Sequence, residues 1–220
     1  MRILALDSAL ARCSVGLVVA GRLAAARSEE ADHGQAARLP AMTAALLAEA
    51  GLPMASLDLI AVTVGPGSFT GIRAALSLAH GLALGAGIPA IGVTVGEALA
   101  ASLPHLGGRA FWSAVDSRRG RVFLERDGAI AAYRLDELPA APHRTAIAGE
   151  AAIEVAARLA AQGADMMLTD ARLPQVRYVA EAAIARRAGL LPPLAVQPVY
   201  VDPPAARLPA GGLRPPPIPA

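Results

Sequence analysis

The stretch from residue 59 to residue 85 constrains this chain more than any other. An apolar, β-branched run, Leu59-Ile-Ala-Val-Thr-Val64, leads into Gly65-Pro-Gly-Ser-Phe-Thr-Gly71, and small and apolar residues continue to Gly85. The order reads as strand, tight glycine turn, helix. Such a unit presents backbone N–H groups at a helix N-terminus, where an anion or a partner's backbone can approach closely. Gly65, Gly67 and Gly71 are spaced G-x-G-x-x-x-G, which departs from the dinucleotide fingerprint, and a Walker loop needs a lysine that the sequence lacks altogether. The helix, read as 70–86, is apolar or small nearly all round and is expected to be buried on several sides.

Strands are expected at 2–6, 13–19 and 22–27, forming a β-meander. A helix over 35–50 carries Leu39, Met42, Leu46 and Leu47 on one face. Pro40 should delay or kink its first turns and Gly51 should close it. Further strands are read at 88–93, 110–115, 121–126, 130–135 and 166–168, with helices at 95–102, 150–162 and 176–188. Leu4-Ala-Leu-Asp7-Ser8 runs through a turn into a second strand, and Ser113-Ala-Val-Asp116-Ser117 does the same about half the chain later. This echo suggests two α/β lobes, 1–108 and 109–202, facing a cleft. Residues 203–220, rich in Pro, Ala and Gly, read as a disordered tail.

Composition narrows the function. A chain of 220 residues can bury about 70% of its unfolded surface. The formal charge of +2 gives no global footprint for nucleic acid, and 3% aromatic residues leave few stacking platforms. The best basic patch is Arg118, Arg119 and Arg121 on a hairpin, which serves either as an RNA contact or as a solvated face. All 20 basic residues are arginine and asparagine is absent, a bias that fits codon composition. The single cysteine, Cys13, reads as a buried thiol in a reducing cytoplasm. No secretory signal is visible, since the first apolar run ends at Asp7. The uncharged span 74–96 is long enough to cross a membrane, but His80, Pro89 and five glycines make it a buried helix followed by a strand. A soluble, cytoplasmic protein is expected.

Asp7 and Asp116, with Ser8, stand at strand ends beside turns, where a carboxylate can hold phosphate-bound magnesium or simply cap the turn. Neither turn has a glycine-rich loop to wrap a phosphate. His33 precedes the first long helix, but Ala37 occupies the position where a second imidazole would complete a metal pair. His80 reads as a satisfied core histidine, and His105 and His143 lie in proline-containing loops. Ser68 fails the G-x-S-x-G elbow because Pro66 and Thr70 stand where glycines belong. Ser68 or Thr70 instead suits the N-cap of the helix.

Four blocks together resemble the TsaB (YeaZ) family: residues 1–9, Val64-Gly-Pro-Gly-Ser-Phe-Thr-Gly-Ile-Arg73, Gly81-Leu-Ala-Leu-Gly85, and Val115-Asp-Ser-Arg-Arg-Gly-Arg-Val122. Pro198-Val-Tyr-Val-Asp-Pro-Pro204 is similar to that family's closing segment. The resemblance implies an actin/Hsp70-like (ASKHA, RNase H-like) α/β fold of two lobes, with mixed sheets flanked by helices. It implies a non-catalytic partner of the paralogous transferase TsaD, joined by the ATPase TsaE. That assembly forms threonylcarbamoyladenosine next to the anticodon of tRNAs reading ANN codons. ATP and metal would belong to the partner subunits and none to this chain alone; tRNA would be met only through the complex, and no membrane is involved. The catalytic paralogue carries H-x-x-x-H where this chain has His33 and Ala37. An ASKHA phosphotransferase or a metal-dependent peptidase is the alternative. The expected interface uses Leu39, Met42 and Leu46 of the first helix with Ala75, Ala79 and Leu82 of the second, and a self-dimer can use the same face.

Overall fold

The computed structural model describes residues 1–30, 35–103 and 105–201. In chain order the elements are β1 (Arg2–Asp7), β2 (Arg12–Val19), β3 (Arg22–Glu30), α1 (Gln35–Glu49), β4 (Leu59–Gly65), α2 (Phe69–Ala86), β5 (Ala90–Thr94) and α3 (Val95–Ala101). They continue with β6 (Ala110–Asp116), β7 (Val122–Arg126), β8 (Ala129–Tyr133), β9 (Arg144–Ala148), α4 (Ala152–Ala161), β10 (Asp165–Leu168) and α5 (Val176–Arg187).

The first sheet has the order β3-β2-β1-β4-β5 and the second β10-β9-β6-β7-β8. In the first, β1 pairs antiparallel with β2 and parallel with β4; in the second, β6 pairs antiparallel with β7 and parallel with β9. The two sheets are therefore built on one plan, and β1 and β6, each ending in an aspartate, are equivalent central strands. This is the duplicated α/β arrangement of the actin/Hsp70 class. The second lobe departs from the plan between β8 and β9, where residues 134–143 form no helix to match α1.

Side-chain alternation decides what each face of the first sheet covers. Leu4, Leu6, Ile60, Val62 and Val64 point to a core shared with α1 and α2, whereas Ile3, Ala5, Leu59 and Ala61 point to α5. Helix α5 follows the second sheet in sequence but packs on the first, so chain order and packing part company there. Trp112, Ala114, Leu124 and Ile147 bury the second sheet against α4. Val115 and Ala148 join the core of the first lobe, which makes the two lobes continuous through the end of β6.

Four expectations need correction. Strand β9 is absent from the sequence reading, because Arg144-Thr-Ala-Ile-Ala148 is a five-residue, alanine-containing run without alternation; it is buried between β6 and β10. Helix α2 buries one face only, through Gly71, Ile72, Ala75, Leu76 and Ala79, and leaves Leu84 86% exposed. His80 is accordingly exposed, with Nε2 at 2.8 Å from the carbonyl of Val196. Pro40 lies inside α1, which runs unbroken through it. His33 and the tail 203–220 lie outside the described residues.

Candidate functional site

Asp7 ends β1 on the side of Ile3 and Ala5, the side that faces α5, and is 1% exposed. Oδ1 accepts hydrogen bonds from Thr63 Oγ1 (2.7 Å) and from the N–H of Ala9 (3.1 Å). Oδ2 is buried without a hydrogen-bond partner among the described residues. Burial raises the Asp7 pKa above the usual carboxylate range, against the opposing pull of those two hydrogen bonds and of Arg12. Ser8 is fully buried beside it, and Cys13, also buried, has its thiol pushed up to about 11 mainly by desolvation. Its thiolate is suppressed, so the cysteine is inert at neutral pH.

The glycine turn packs on the backbone that follows this carboxylate. The N–H of Ser68 donates to the carbonyl of Ala9 at 2.7 Å. A Cβ at Gly67 would lie 2.1 Å from that carbonyl oxygen, and one at Gly71 would lie 1.9 Å from the Ser8 oxygen. Both glycines are therefore explained by close packing on this chain's own Ser8-Ala9 backbone, not by an incoming anion. Gly65, at φ +109, would bring its Cβ within 2.9 Å of Ile72 Cδ1. Ser68 caps α2, its Oγ accepting from the N–H of Gly71 at 3.2 Å; Thr70 is exposed within the first turn and caps nothing. A magnesium-bound phosphate needs solvated carboxylate oxygen and free N–H groups. Asp7 is buried and the Ser68 N–H is taken by Ala9, so this pair does not fit one.

Asp116, the equivalent aspartate, does different work. Its Oδ1 accepts from the N–H of Arg118 at 2.8 Å, a turn cap at a residue with φ +57. Arg118 also reaches Glu150 at 3.5 Å, and burial raises the Glu150 pKa. Arg119 is exposed, and Arg121 is half-buried with its backbone N–H on Ser117 Oγ. No hydrogen bond or ion pair joins Asp116 to Asp7 in the described structure. Among the described residues no group of three or more His, Cys, Asp and Glu is placed to hold a metal ion, and no helix is long and apolar enough to cross a membrane.

The proposed interface residues also move. Leu39, Met42, Leu46, Ala75 and Ala79 are at most 6% exposed and form the core between α1, α2 and the first sheet; Leu82 is half-buried. In sequence an apolar helix face looks the same whether it meets its own sheet or a partner. The outward face is different in character. It carries Ala37, Ala41, Ala44 and Ala48 on α1, with Ser77, Gly81, Leu84 and Gly85 on α2. A Cβ at Gly81 or Gly85 would meet nothing within 4 Å, and neither residue has a positive φ. Nothing among the described residues requires glycine at either place.

At the N-terminal end of α2 this face holds an aromatic and cationic cluster that sequence patterning did not join. The Arg73 guanidinium lies 3.8 Å above the ring centroid of Phe69, which is 58% exposed, and donates to Tyr200 Oη at 2.9 Å. Tyr200 arrives on a segment pinned by the N–H of Val199 on the carbonyl of Val64, 2.9 Å. Its signal in the sequence is the closing segment Pro198-Val-Tyr-Val-Asp-Pro-Pro204, which does not say that Tyr200 meets Arg73. Phe69, Arg73, Ser77 and Pro40 line an open groove of about 610 Å³.

A family model described as TsaD, tRNA N6-adenosine threonylcarbamoyltransferase, matches residues 28–184. The tRNA threonylcarbamoyladenosine biosynthesis protein TsaB of Escherichia coli is 36% identical over 138 residues, covering 62% of this chain and 57% of that protein. The tRNA N6-adenosine threonylcarbamoyltransferase of Maricaulis maris is 51% identical over 65 residues, covering 30% of this chain and 17% of that protein. The chain thus spans little more than half of the Escherichia coli protein it matches. The solved structure of YeaZ from Pseudomonas aeruginosa superposes with a TM-score of 0.72 at 28% identity, covering 90% of this chain and 99% of that one. The duplicated sheets, the strand–aspartate turns and the glycine block therefore sit in a known setting: the chain belongs to the TsaD family, on the branch that carries the names TsaB and YeaZ.

Proposed function

We propose that this chain is a non-catalytic subunit of a tRNA threonylcarbamoyl-transferase, pairing with a TsaD-like catalytic paralogue and working alongside a TsaE-like ATPase on tRNAs that read ANN codons. The observation that supports it is the sealed Asp7 turn. Gly67 and Gly71 seat against Ser8-Ala9 and Asp7 is buried, so the two glycines serve internal packing and the carboxylate presents no solvated oxygen. Such a lobe contributes shape to a neighbouring active site, with ATP and metal held by the partners.

The docking face in this reading is the outward side of α1 and α2, with Phe69, Arg73 and Tyr200 as its anchors. Arginine and aromatic residues are those that dominate interface energetics. The open glycines let a partner helix approach closely. A second copy of this chain can use the same face when the paralogue is absent. Arg118 and Arg119 are the candidate tRNA contacts, engaged only once the partner positions the anticodon arm. The test is in vitro modification of tRNA by the paralogue and ATPase with and without this chain. Stimulation by the Asp7→Asn variant equal to wild type is expected; turnover by the isolated chain would overturn the reading.

A further inference from the structure

Glu125 stands on β7 of the second lobe, yet its carboxylate engages the first. Oε1 accepts from Thr94 Oγ1 at the end of β5, and Oε2 accepts from the N–H of Gly96 at 3.0 Å in the first turn of α3. The surroundings are shaped around that group. A Cβ on Gly96 would fall 2.4 Å from Glu125 Oε2 and 2.8 Å from Ser113 Oγ, so position 96 has no room for a side chain. Ser113 is the cross-strand neighbour of Glu125 on β6, fully buried, and its Oγ has no partner among the described residues.

The other groups facing this carboxylate can be named element by element. Glu97 on α3 completes a capping box with Thr94 and pairs with Arg186 of α5, their side chains 16% and 7% exposed. Arg186 also donates to the carbonyls of Gly92 and Pro192. Ile130, opposite Glu125 on β8, brings no charge. Among the described residues, the cation that acts on Glu125 is Arg186, already paired with Glu97, and the hydrogen bonds Glu125 accepts come from neutral donors. Burial, the largest influence, and the charge of Glu97 together push Glu125 up to about 7, against the hydrogen bonds of Thr94 and Gly96 and the attraction of Arg186.

We propose that Glu125 is a proton-controlled latch between the two lobes: with its proton on, it holds β7 against the Thr94–Gly96 turn, and with its proton off the joint loosens. The neutral acid keeps the Gly96 N–H on one oxygen and stands beside Glu97 without like-charge repulsion. The ionised form is half-buried and desolvated beside Glu97, while Arg186 is held by Glu97, and parting the lobes hydrates it. Because the closed joint binds the proton more tightly, raising the pH through the midpoint shifts the population toward the loosened form.

The test uses the full chain with spin labels on cysteines placed at Ser28 of β3 and Ala129 of β8, both exposed. Cys13 is buried and stays unlabelled. Distances are measured at about pH 5.5 and about pH 8.5, either side of the expected midpoint. The wild type should show a narrow distribution at the lower pH and a longer or broader one at the higher. Glu125→Gln, which imitates the neutral acid, should remain narrow at both. A wild-type distribution indifferent to pH, or a pH response that survives in Glu125→Gln, overturns the proposal. Should the variant fail to fold, the carboxyl carbon resonance of Glu125 in the wild type decides: a midpoint near about 7 supports the latch, and one at the ordinary 4.5 refutes it.

Discussion

Substitution of Gly81 separates the stability of this chain from its capacity to associate. Gly81 lies mid-helix on the outward side of α2, and an added Cβ would meet nothing within 4 Å. Alanine in an exposed helix interior is favoured over glycine by about 0.5–1 kcal/mol, so Gly81→Ala should stabilise the isolated chain. For a chain of this size that is a rise in melting temperature of about 1–4 °C, readable by circular dichroism. Gly81→Leu should also fold normally, since leucine is a good helix former and the space is open. If a partner helix seats on this ridge, the added leucine overpacks a joint packed like a protein interior. Overpacking costs about 1–3 kcal/mol, or about 5- to 150-fold in dissociation constant, measured by calorimetry against the TsaD-like paralogue. An unchanged dissociation constant for a folded Gly81→Leu chain would show that the ridge is not where the partner sits.

Other expectations follow from the buried groups. Asp7→Asn keeps an oxygen acceptor for Thr63 and Ala9 while removing a buried acid, so thermal unfolding near neutral pH should show it at least as stable as wild type. Because the folded Asp7 pKa is raised, wild-type stability falls as pH rises above the ordinary carboxylate value, and that margin for Asp7→Asn should shrink in acid. Glu125 acts in the same direction: between 4.5 and about 7 its ionisation should draw down stability by at most about 3 kcal/mol, a slope absent from Glu125→Gln in denaturant titrations. Leu46→Ala should cost about 2–5 kcal/mol of fold stability, because Leu46 is 1% exposed in the core. Ser68→Ala should cost about 1 kcal/mol through loss of the α2 cap.

The strand–turn–helix at 59–86 was readable because its signals agree: a β-branched run, three glycines and a hydroxyl cap point to one local structure. The duplication was readable from two aspartates in matching hairpins. What the sequence hid was direction. An apolar stripe such as Leu39, Met42 and Leu46 states that a helix face is covered, but not by what, and here the first sheet covers it. The glycines mislead in the same way. Gly67 and Gly71 admit the chain's own Ser8-Ala9 backbone, whereas Gly81 and Gly85 stand open, and only three-dimensional contacts tell the two pairs apart. Glu125 gave no signal at all, since the groups that trap it, Thr94, Gly96 and Ser113, come from three separate elements.

The central claim is that this chain lends shape to a partner's reaction without making bonds itself. The most direct measurement is threonylcarbamoyl transfer to tRNA by the paralogue and ATPase, with wild type, Asp7→Asn or Gly81→Leu supplied in turn. The account predicts full stimulation by the first two and a loss with the third that added protein restores. Product formed by this chain alone, or stimulation abolished by Asp7→Asn in a folded protein, would contradict it.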